Sequence, residues 1–196
     1  MRHSLVLASC VLLLPLPGAP VQAQSAARQG GIEQHQSHDR ELDTLFARLK
    51  AAPTEAKATQ LTNLIWAHWY KSGDGGVDVL MGQARHTLRL GQHQAAIELV
   101  DEVLQLAPKY AEAWNLRALI LFNMGRDAES RGDLKRTLAL EPRHFAAMTG
   151  LAHLNIRARN WTGALKAIRS ALEIHPFLKE RKLLPKLEEL AREKDL

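Results

Sequence analysis

His35, His38 and Asp39 are residue types that bind metal ions, and their spacing of three and four residues places side chains on one face of a helix. Such a group could hold zinc or copper in an exported protein. No fourth ligand lies near them in the sequence, and Ile32 is the one large apolar residue of the segment around them. Surface histidines are the simpler interpretation, so we predict no metal site and no cofactor.

The segment 72–76, Ser-Gly-Asp-Gly-Gly, is the most glycine-rich stretch of the chain. A glycine-rich loop can cradle phosphate, but that use needs a preceding strand and a following Gly-Lys-Ser or Gly-Lys-Thr, and neither is indicated here. We predict a hinge-like connection instead. Serine, histidine and aspartate all occur in the chain, yet none stands in a local frame typical of a nucleophile. The sequence therefore predicts a protein that is not an enzyme.

A period of 34 residues indicates the elements that position these side chains. Proline recurs at Pro108, Pro142 and Pro176, and the residues between these prolines align in register. The aligned columns are Leu80, Trp114 and Met148; Ala84, Ala118 and Ala152; Ala96, Ser130 and Ala164; Val100, Leu134 and Ile168; and Leu106, Leu140 and Ile174. A fixed period of this length is typical of stacked helical hairpins, which bind partners.

Each column has a physical reason. A bulky residue anchors the first helix of a pair, and the alanine one turn later lets the two backbones approach closely. Proline then prevents the second helix from continuing. Gly91 and Gly125 stand at the turn between the helices, where a positive φ costs glycine little. The third repeat has Arg159-Asn160 at this turn, and we expect the asparagine to adopt the left-handed conformation.

The pattern resembles the tetratricopeptide repeat family. The best copy is the segment Trp114-Asn115-Leu116-Arg117-Ala118, followed by Ser130, Leu134 and Pro142. Alanine replaces the consensus glycine in all three copies. The positions where tyrosine is usual hold Thr87, Leu121 and Asn155. The resemblance covers residues 77–178. It implies an all-α fold, a right-handed superhelical array of helix-turn-helix repeats with terminal capping helices, and it identifies no specific activity.

The predicted organisation has seven parts. They are a signal peptide (1–23), a flexible lead-in (24–38), a divergent helical pair with the glycine-rich connection (39–76), the three repeats (77–110, 111–144 and 145–178) and a C-terminal capping helix (179–196). We expect the divergent pair to stack on the first repeat and cover its exposed end, as terminal repeats do.

The concave side of such an array predicts the binding site, because the first helix of each repeat lines it. The candidate groove residues are Met81, Arg85, Arg89, Asn115, Leu119, Asn123, Thr149, His153 and Arg157. Arginine and asparagine among apolar neighbours can bond a peptide backbone or a carboxylate. We therefore predict a protein partner held by a peptide segment. Three further residues also have groove positions: Leu88, Phe122 and Ile156. The competing interpretation is that they pack between helices.

One specialisation of the family can be compared residue by residue. Its members that grip the carboxyl tails of cytosolic chaperones use lysine, asparagine and arginine at set groove positions. The corresponding positions here are Met81, Arg85, Leu116, Ala146 and Gly150. Arg85 is the one polar residue among these five positions, so the resemblance does not extend to that clamp.

The N-terminus predicts export. A short basic start precedes an apolar run from Ser4 to Leu16, and Val21-Gln22-Ala23 suits signal peptidase, so we expect cleavage after Ala23. The run is shorter than the roughly 20 apolar residues of a spanning helix. Two alternatives remain here: an uncleaved N-terminal anchor, and lipidation of Cys10 in a lipoprotein-like box. Membrane association is expected only through one of these. The predicted location is the periplasm or the exterior.

Composition narrows the class of partner. The formal net charge of +5 falls to +4 when residues 1–23 are removed, and the positive charges are scattered among 21 acidic residues. This pattern predicts no nucleic-acid partner. We predict a periplasmic scaffold or assembly factor that binds a peptide segment in its groove. The alternative is a metal or small-ligand carrier that uses the histidine-containing N-terminal segment and the groove histidines. The oligomeric state stays open.

Overall fold

The structure is a computed structural model, and it describes residues 40–194. The predicted signal peptide, the lead-in and the group His35, His38 and Asp39 lie outside the described residues. From Glu41 onward the chain forms one compact unit. Within residues 40–194, no helix combines the length and the apolar content needed to cross a membrane.

The described residues form nine α-helices and one short 3-10 helix. The helices are α1 (40–50), α2 (Glu55–Trp69), α3 (Gly75–Arg89), α4 (His93–Leu106), α5 (Ala111–Asn123), α6 (Asp127–Leu140), α7 (Phe145–Arg157), α8 (Trp161–Ile174) and α9 (Leu184–Lys194), with the 3-10 helix at Lys179–Leu183. Each repeat of the sequence period holds two helices that pack as a hairpin. The second helix of one hairpin packs on the first helix of the next, as α4 does on α5 and α6 on α7. The all-α repeat array is thereby confirmed.

The aligned small residues form the interior of the hairpins. Ala84, Ala118 and Ala152 are at most 1% exposed. Ser130 takes the place of alanine in the next small column, and its hydroxyl donates to the Ala118 carbonyl oxygen at 2.7 Å, which satisfies a buried polar group inside the second repeat. The columns therefore mark the contacts that hold each hairpin together.

The turn of the third repeat differs from the expectation. Gly91 and Gly125 have φ values of 76° and 74°, and the equivalent residue of the third repeat is Arg159, at φ 53°. Asn160 has φ −91°, and its side chain accepts from the Gly163 N–H at 3.0 Å. The asparagine is thus the N-cap of α8, and arginine takes the left-handed conformation. The prediction for Asn160 was wrong because its side chain serves the following helix.

The N-terminal hairpin, formed by α1 and α2, packs mainly against the third repeat. Its buried side chains, which include Leu45, Leu61 and Ile65, share a core with Phe145 of α7 and Ala171 of α8. The expectation that this hairpin stacks on the first repeat is therefore wrong. Asp74, in the connection between α2 and α3, caps α3 by accepting from the backbone of Gly76 and Val77. Helix α2 itself runs from the end of the third repeat, where Glu55 pairs with Arg181, to the first repeat, where Tyr110 donates to the Trp69 carbonyl oxygen.

The C-terminal helix covers the last repeat. Leu187 of α9 is buried against Leu165 and Ile168 of α8. Pro185 lies in the first turn of α9, where a missing N–H costs no helical hydrogen bond. Repeat three is therefore covered by α9 and also by the N-terminal hairpin.

Candidate functional site

A cavity of about 300 Å³ lies on the concave side of the second and third repeats. Trp66, Asn115, Ala118, Leu119, Phe122, Ser130, Leu134, Ala146, Thr149, Gly150 and His153 line it. Four predicted groove residues are thus brought together: Asn115 and Leu119 from α5, and Thr149 and His153 from α7. Leu119 is 48% exposed at the opening. A partner can therefore reach the cavity.

Trp66 reaches this cavity from the N-terminal hairpin. Its indole ring contacts Phe145 of α7 edge-on, with 6.1 Å between ring centroids. The neighbouring Trp69 stacks on the His144 ring at 4.0 Å, with 6° between the planes. Tyr110 donates its hydroxyl to the Trp69 carbonyl oxygen at 2.9 Å. Two tryptophans three residues apart on one helix thus fix α2 against the groove, and the repeat pattern could not reveal this contact.

A buried hydrogen-bond network orients Asn115. The Glu112 carboxylate is 4% exposed, and it accepts from the Asn115 side chain at 2.9 Å. The same oxygen lies 3.2 Å from His144 Nε2. Because the Ala147 N–H donates to His144 Nδ1, we assign the imidazole proton to Nε2, which then donates to Glu112. The position of Asn115 is therefore set by α5 and α7 together.

The phenol groups of Tyr110 and Tyr70, which lie near Glu112, remain protonated. Burial raises the pKa of Tyr110 well above its usual value, and the nearby Glu112 carboxylate raises it further. Burial also raises the pKa of Tyr70, with a second contribution from Glu112 and an opposing one from Arg85. Tyr110 thus stays a hydrogen-bond donor to α2 across the neutral pH range.

One further polar side chain of the lining is hydrogen-bonded within the protein. Thr149 donates its hydroxyl to the Ala146 carbonyl oxygen at 3.0 Å. His153 Nε2 lies 3.7 Å from a carboxylate oxygen of Glu180, which is itself buried. The cavity therefore presents carbon surface, the bonded side chains of Asn115, Ser130 and Thr149, and the His153 imidazole, which lies beyond hydrogen-bond distance of Glu180.

Two of the three predicted groove arginines, Arg157 and Arg85, lie over aromatic rings. The Arg157 guanidinium lies 3.6 Å from the Phe122 ring centroid, pairs with Asp127 and donates to the Phe122 carbonyl oxygen. The Arg85 guanidinium lies 4.3 Å from the Tyr70 ring centroid. Arg85 Nη1 and Trp69 Nε1 are buried with no hydrogen-bond partner among the described residues. A buried donor without a partner costs stability.

Three predicted groove residues lie away from the cavity. Met81 is fully buried in the core of the first repeat, so no partner can touch it without unfolding, and we leave it out of the site. Arg89 lies at the end of α3, where its guanidinium is 3.5 Å from the His86 ring. Asn123 is exposed at the end of α5.

Metal ligands are not grouped in the described part of the chain. Between residues 40 and 194, no three or more histidine, cysteine, aspartate or glutamate side chains lie close enough to hold a metal ion. His144 and His153 instead pair with Glu112 and Glu180. The His144 contact is a hydrogen bond at 3.2 Å, and the His153 contact is longer, at 3.7 Å.

Comparison with known proteins places the chain beside repeat proteins. A family model described as tetratricopeptide repeat matches residues 81–134 and 124–178. A protein of Rhizobium etli described as TPR repeat-containing is 35% identical over 82% of this chain and 80% of its own length.

Solved structures show the same fold. One is the first tetratricopeptide domain of Spaghetti (RPAP3) bound to an HSP90 peptide, with a TM-score of 0.57 and 19% identity over 59% of this chain and 93% of that one. Another is the TPR2B domain of yeast Sti1 in complex with Hsp70, with a TM-score of 0.50 and 18% identity over 59% of this chain and 98% of that one.

Proposed function

Because the chain belongs to the tetratricopeptide repeat family, we propose that it is an interaction scaffold that holds a peptide segment of a partner protein in its groove. The observation that carries this proposal is the open cavity between α5, α7 and α2. The Spaghetti and Sti1 domains are described with chaperone peptides, which supports a peptide-holding role for this type of surface.

The proposed contact residues are Asn115, Leu119, Thr149 and His153, joined by Trp66 from the N-terminal hairpin. Arg157 supports the wall, because its guanidinium group rests on the ring of Phe122, which lines the cavity. A few contacts of this kind supply most of the affinity of an interface.

We further propose that the scaffold acts in the periplasm or outside the cell. The support is the charge and hydropathy pattern of residues 1–23. Expression of the full chain in a bacterial host, followed by intact mass measurement of the periplasmic fraction, tests this. A product that begins at Gln24 is expected. A cytoplasmic product that begins at Met1, or a lipid-modified product that begins at Cys10, would contradict cleavage after Ala23.

Site-specific photo-crosslinking tests the groove. A photoreactive amino acid replaces Leu119 at the mouth of the cavity, and a matched one replaces Lys135, which is exposed on α6 in the same repeat. We expect an adduct from Leu119 that maps to one segment of one protein, and a synthetic peptide of that segment should compete with it. Equal labelling from Lys135, or labelling that the peptide does not reduce, would contradict a groove scaffold.

A further inference from the structure

The chemistry of the cavity points to the type of side chain that it accepts. We infer that the cavity formed by Trp66, α5 and α7 is an anchor pocket for one large apolar side chain, such as leucine or phenylalanine, of the bound segment. This inference rests on the proposed function, since it assumes that a peptide segment occupies the groove.

Hydrogen bonding in the lining is the first argument. The Ser130 hydroxyl donates to Ala118, the Asn115 amide donates to Glu112, and the Thr149 hydroxyl donates to Ala146. An apolar group that enters the cavity therefore leaves few donors unsatisfied. A polar group that enters would lose its water and find few free partners, which is costly.

Charge is the second argument. Neither lysine nor arginine lines the cavity in the described part of the chain. Arg157 lies behind Phe122, where its charge is paired with Asp127. His153 is beside the Glu180 carboxylate. A carboxylate anchor would meet no unpaired cation here, so an uncharged occupant matches the wall best.

Shape is the third argument. Gly150 lies in the wall of the cavity, where a side chain would approach Leu134 to 3.1 Å, so glycine lets the leucine occupy this position. The side chain of Trp66 also lines the cavity. A volume of about 300 Å³ is at the lower end of ligand pockets, which suits one side chain better than a large ligand.

A titration with small probes tests the pocket without a known partner. The purified full chain is titrated with N-acetyl-leucinamide, N-acetyl-phenylalaninamide and N-acetyl-aspartate amide, while NMR follows the Trp66 indole and the Leu119 methyl groups. We expect both apolar amides to shift these resonances and to bind at least about tenfold more tightly than the acidic one, since burial of such a side chain contributes more than a factor of ten. Equal or tighter binding of the acidic amide would overturn the inference.

Matched variants localise the effect. Leu119→Lys places a charge at the mouth and should weaken the apolar amides at least about tenfold. Leu90→Lys, at a leucine that is 60% exposed on the first repeat, should leave binding unchanged. Thr149→Phe, which fills the cavity, is a second test variant and should abolish binding of the apolar amides. If neither cavity variant weakens the amides, the assignment of the pocket is wrong.

The crosslinked segment separates this inference from the proposed function. Replacement of its apolar residues by alanine, one at a time, should identify one position that lowers affinity at least about tenfold. If only replacement of its acidic residues lowers the affinity, the proposed scaffold function is supported and the anchor pocket is wrong. If no segment competes but the apolar amides bind, the cavity accepts apolar groups, and both the peptide scaffold and the pocket's role as an anchor for a peptide are wrong.

Discussion

The side chain of Arg117 joins three helices of the array. Its guanidinium makes two hydrogen bonds to Asp133 of α6, at 2.8 and 2.9 Å, and one to Asp101 of α4, at 2.6 Å. It also lies 4.7 Å from the Trp114 ring centroid. The hydrogen bonds to Asp133, ahead of those to Asp101, raise the pKa of this guanidinium. These contacts link repeats one and two, and the apolar pattern of a single helix does not predict them.

Replacement of Arg117 by methionine should destabilise the protein by about 2 kcal/mol, because the Asp133 carboxylate is 6% exposed and would lose its charged partner. Urea unfolding followed by circular dichroism measures this. Arg126→Met is the matched control, since Arg126 pairs with exposed Glu129 one turn away and its loss should leave the unfolding midpoint unchanged. An equal effect of the two substitutions would contradict the role of Arg117.

His175 gives the stability of the protein a dependence on pH. Its Nδ1 accepts from the Phe177 N–H at 3.3 Å, and its Nε2 lies 3.0 Å from the Thr62 hydroxyl of α2. The Thr62 hydroxyl proton is donated to Ala58, so we assign the proton to His175 Nε2. The groups that face this neutral ring are Phe145, edge-on at 5.2 Å, and the charged side chains Glu180 and Arg181. Burial lowers the pKa of His175, and Glu180 opposes the shift.

A histidine whose pKa is lower in the folded state stabilises the fold least in acid. The unfolded chain binds a proton near pH 6.5, while the folded chain resists it, so stability is complete above about pH 6.5 and falls as the pH decreases below that value. We expect His175→Gln, which can still donate to Thr62, to lose less stability than the parent between pH 7.5 and 5.5. Thermal unfolding of both proteins at these two pH values measures the loss of stability. An equal loss in both proteins would contradict the assignment.

The position of a groove residue was predictable from the sequence where the helical period alone determines which face of the helix carries it. Asn115, Leu119, Thr149 and His153 share a phase in successive first helices, and the structure brings them to one cavity. Trp66 lies outside the repeats. Its place depends on ring packing against Phe145, which is distant in sequence, and no local pattern encodes that contact.

At the scale of elements, the turn of the third repeat is strained. Arg159 has a left-handed backbone at φ 53°, where the equivalent residues of the other repeats are glycine. Arg159→Gly should stabilise the protein by about 0.5–1 kcal/mol, because relief of the left-handed cost exceeds the added freedom of the unfolded chain. Chemical unfolding measures the gain. Arg159→Ala keeps a Cβ and should give no gain, so equal stabilisation by both would indicate a surface-charge effect instead.

The turn before helix α8 shows how far the sequence predicts the detail of an element. The period located the turn before the helix, but it could not distinguish a residue that adopts the left-handed conformation from one that caps. Asn160 is suited to both roles, and the hydrogen bond to Gly163 decided between them. The divergent helical pair was likewise recognised as helical, while its docking position was predicted wrongly.

At the scale of the whole compact unit, the N-terminal hairpin stabilises the third repeat. The N-terminal hairpin shares its core with α7 and α8, and polar contacts add to it: Arg143 pairs with Asp43, and Arg181 with Glu55 at 3.1 Å. The array is thus closed by contacts between residues that are about a hundred positions apart, such as Arg143 and Asp43. Neighbouring repeats of an ordinary solenoid contact only each other, so removal of one end leaves the other intact. This chain should behave differently.

Trp69→Ala tests that difference. The indole is 7% exposed and stacked on His144, so its loss should cost about 3–5 kcal/mol, and α7 and α8 should lose hydrogen-exchange protection more than α3 and α4. Trp114→Ala is the matched control, because Trp114 packs on the core of the first repeat and should affect α3 and α4 more. Mass-spectrometric hydrogen exchange resolves the two patterns. If both substitutions expose α3 and α4 first, the N-terminal hairpin does not stabilise the third repeat, and Trp66 loses its support as a wall of the anchor pocket.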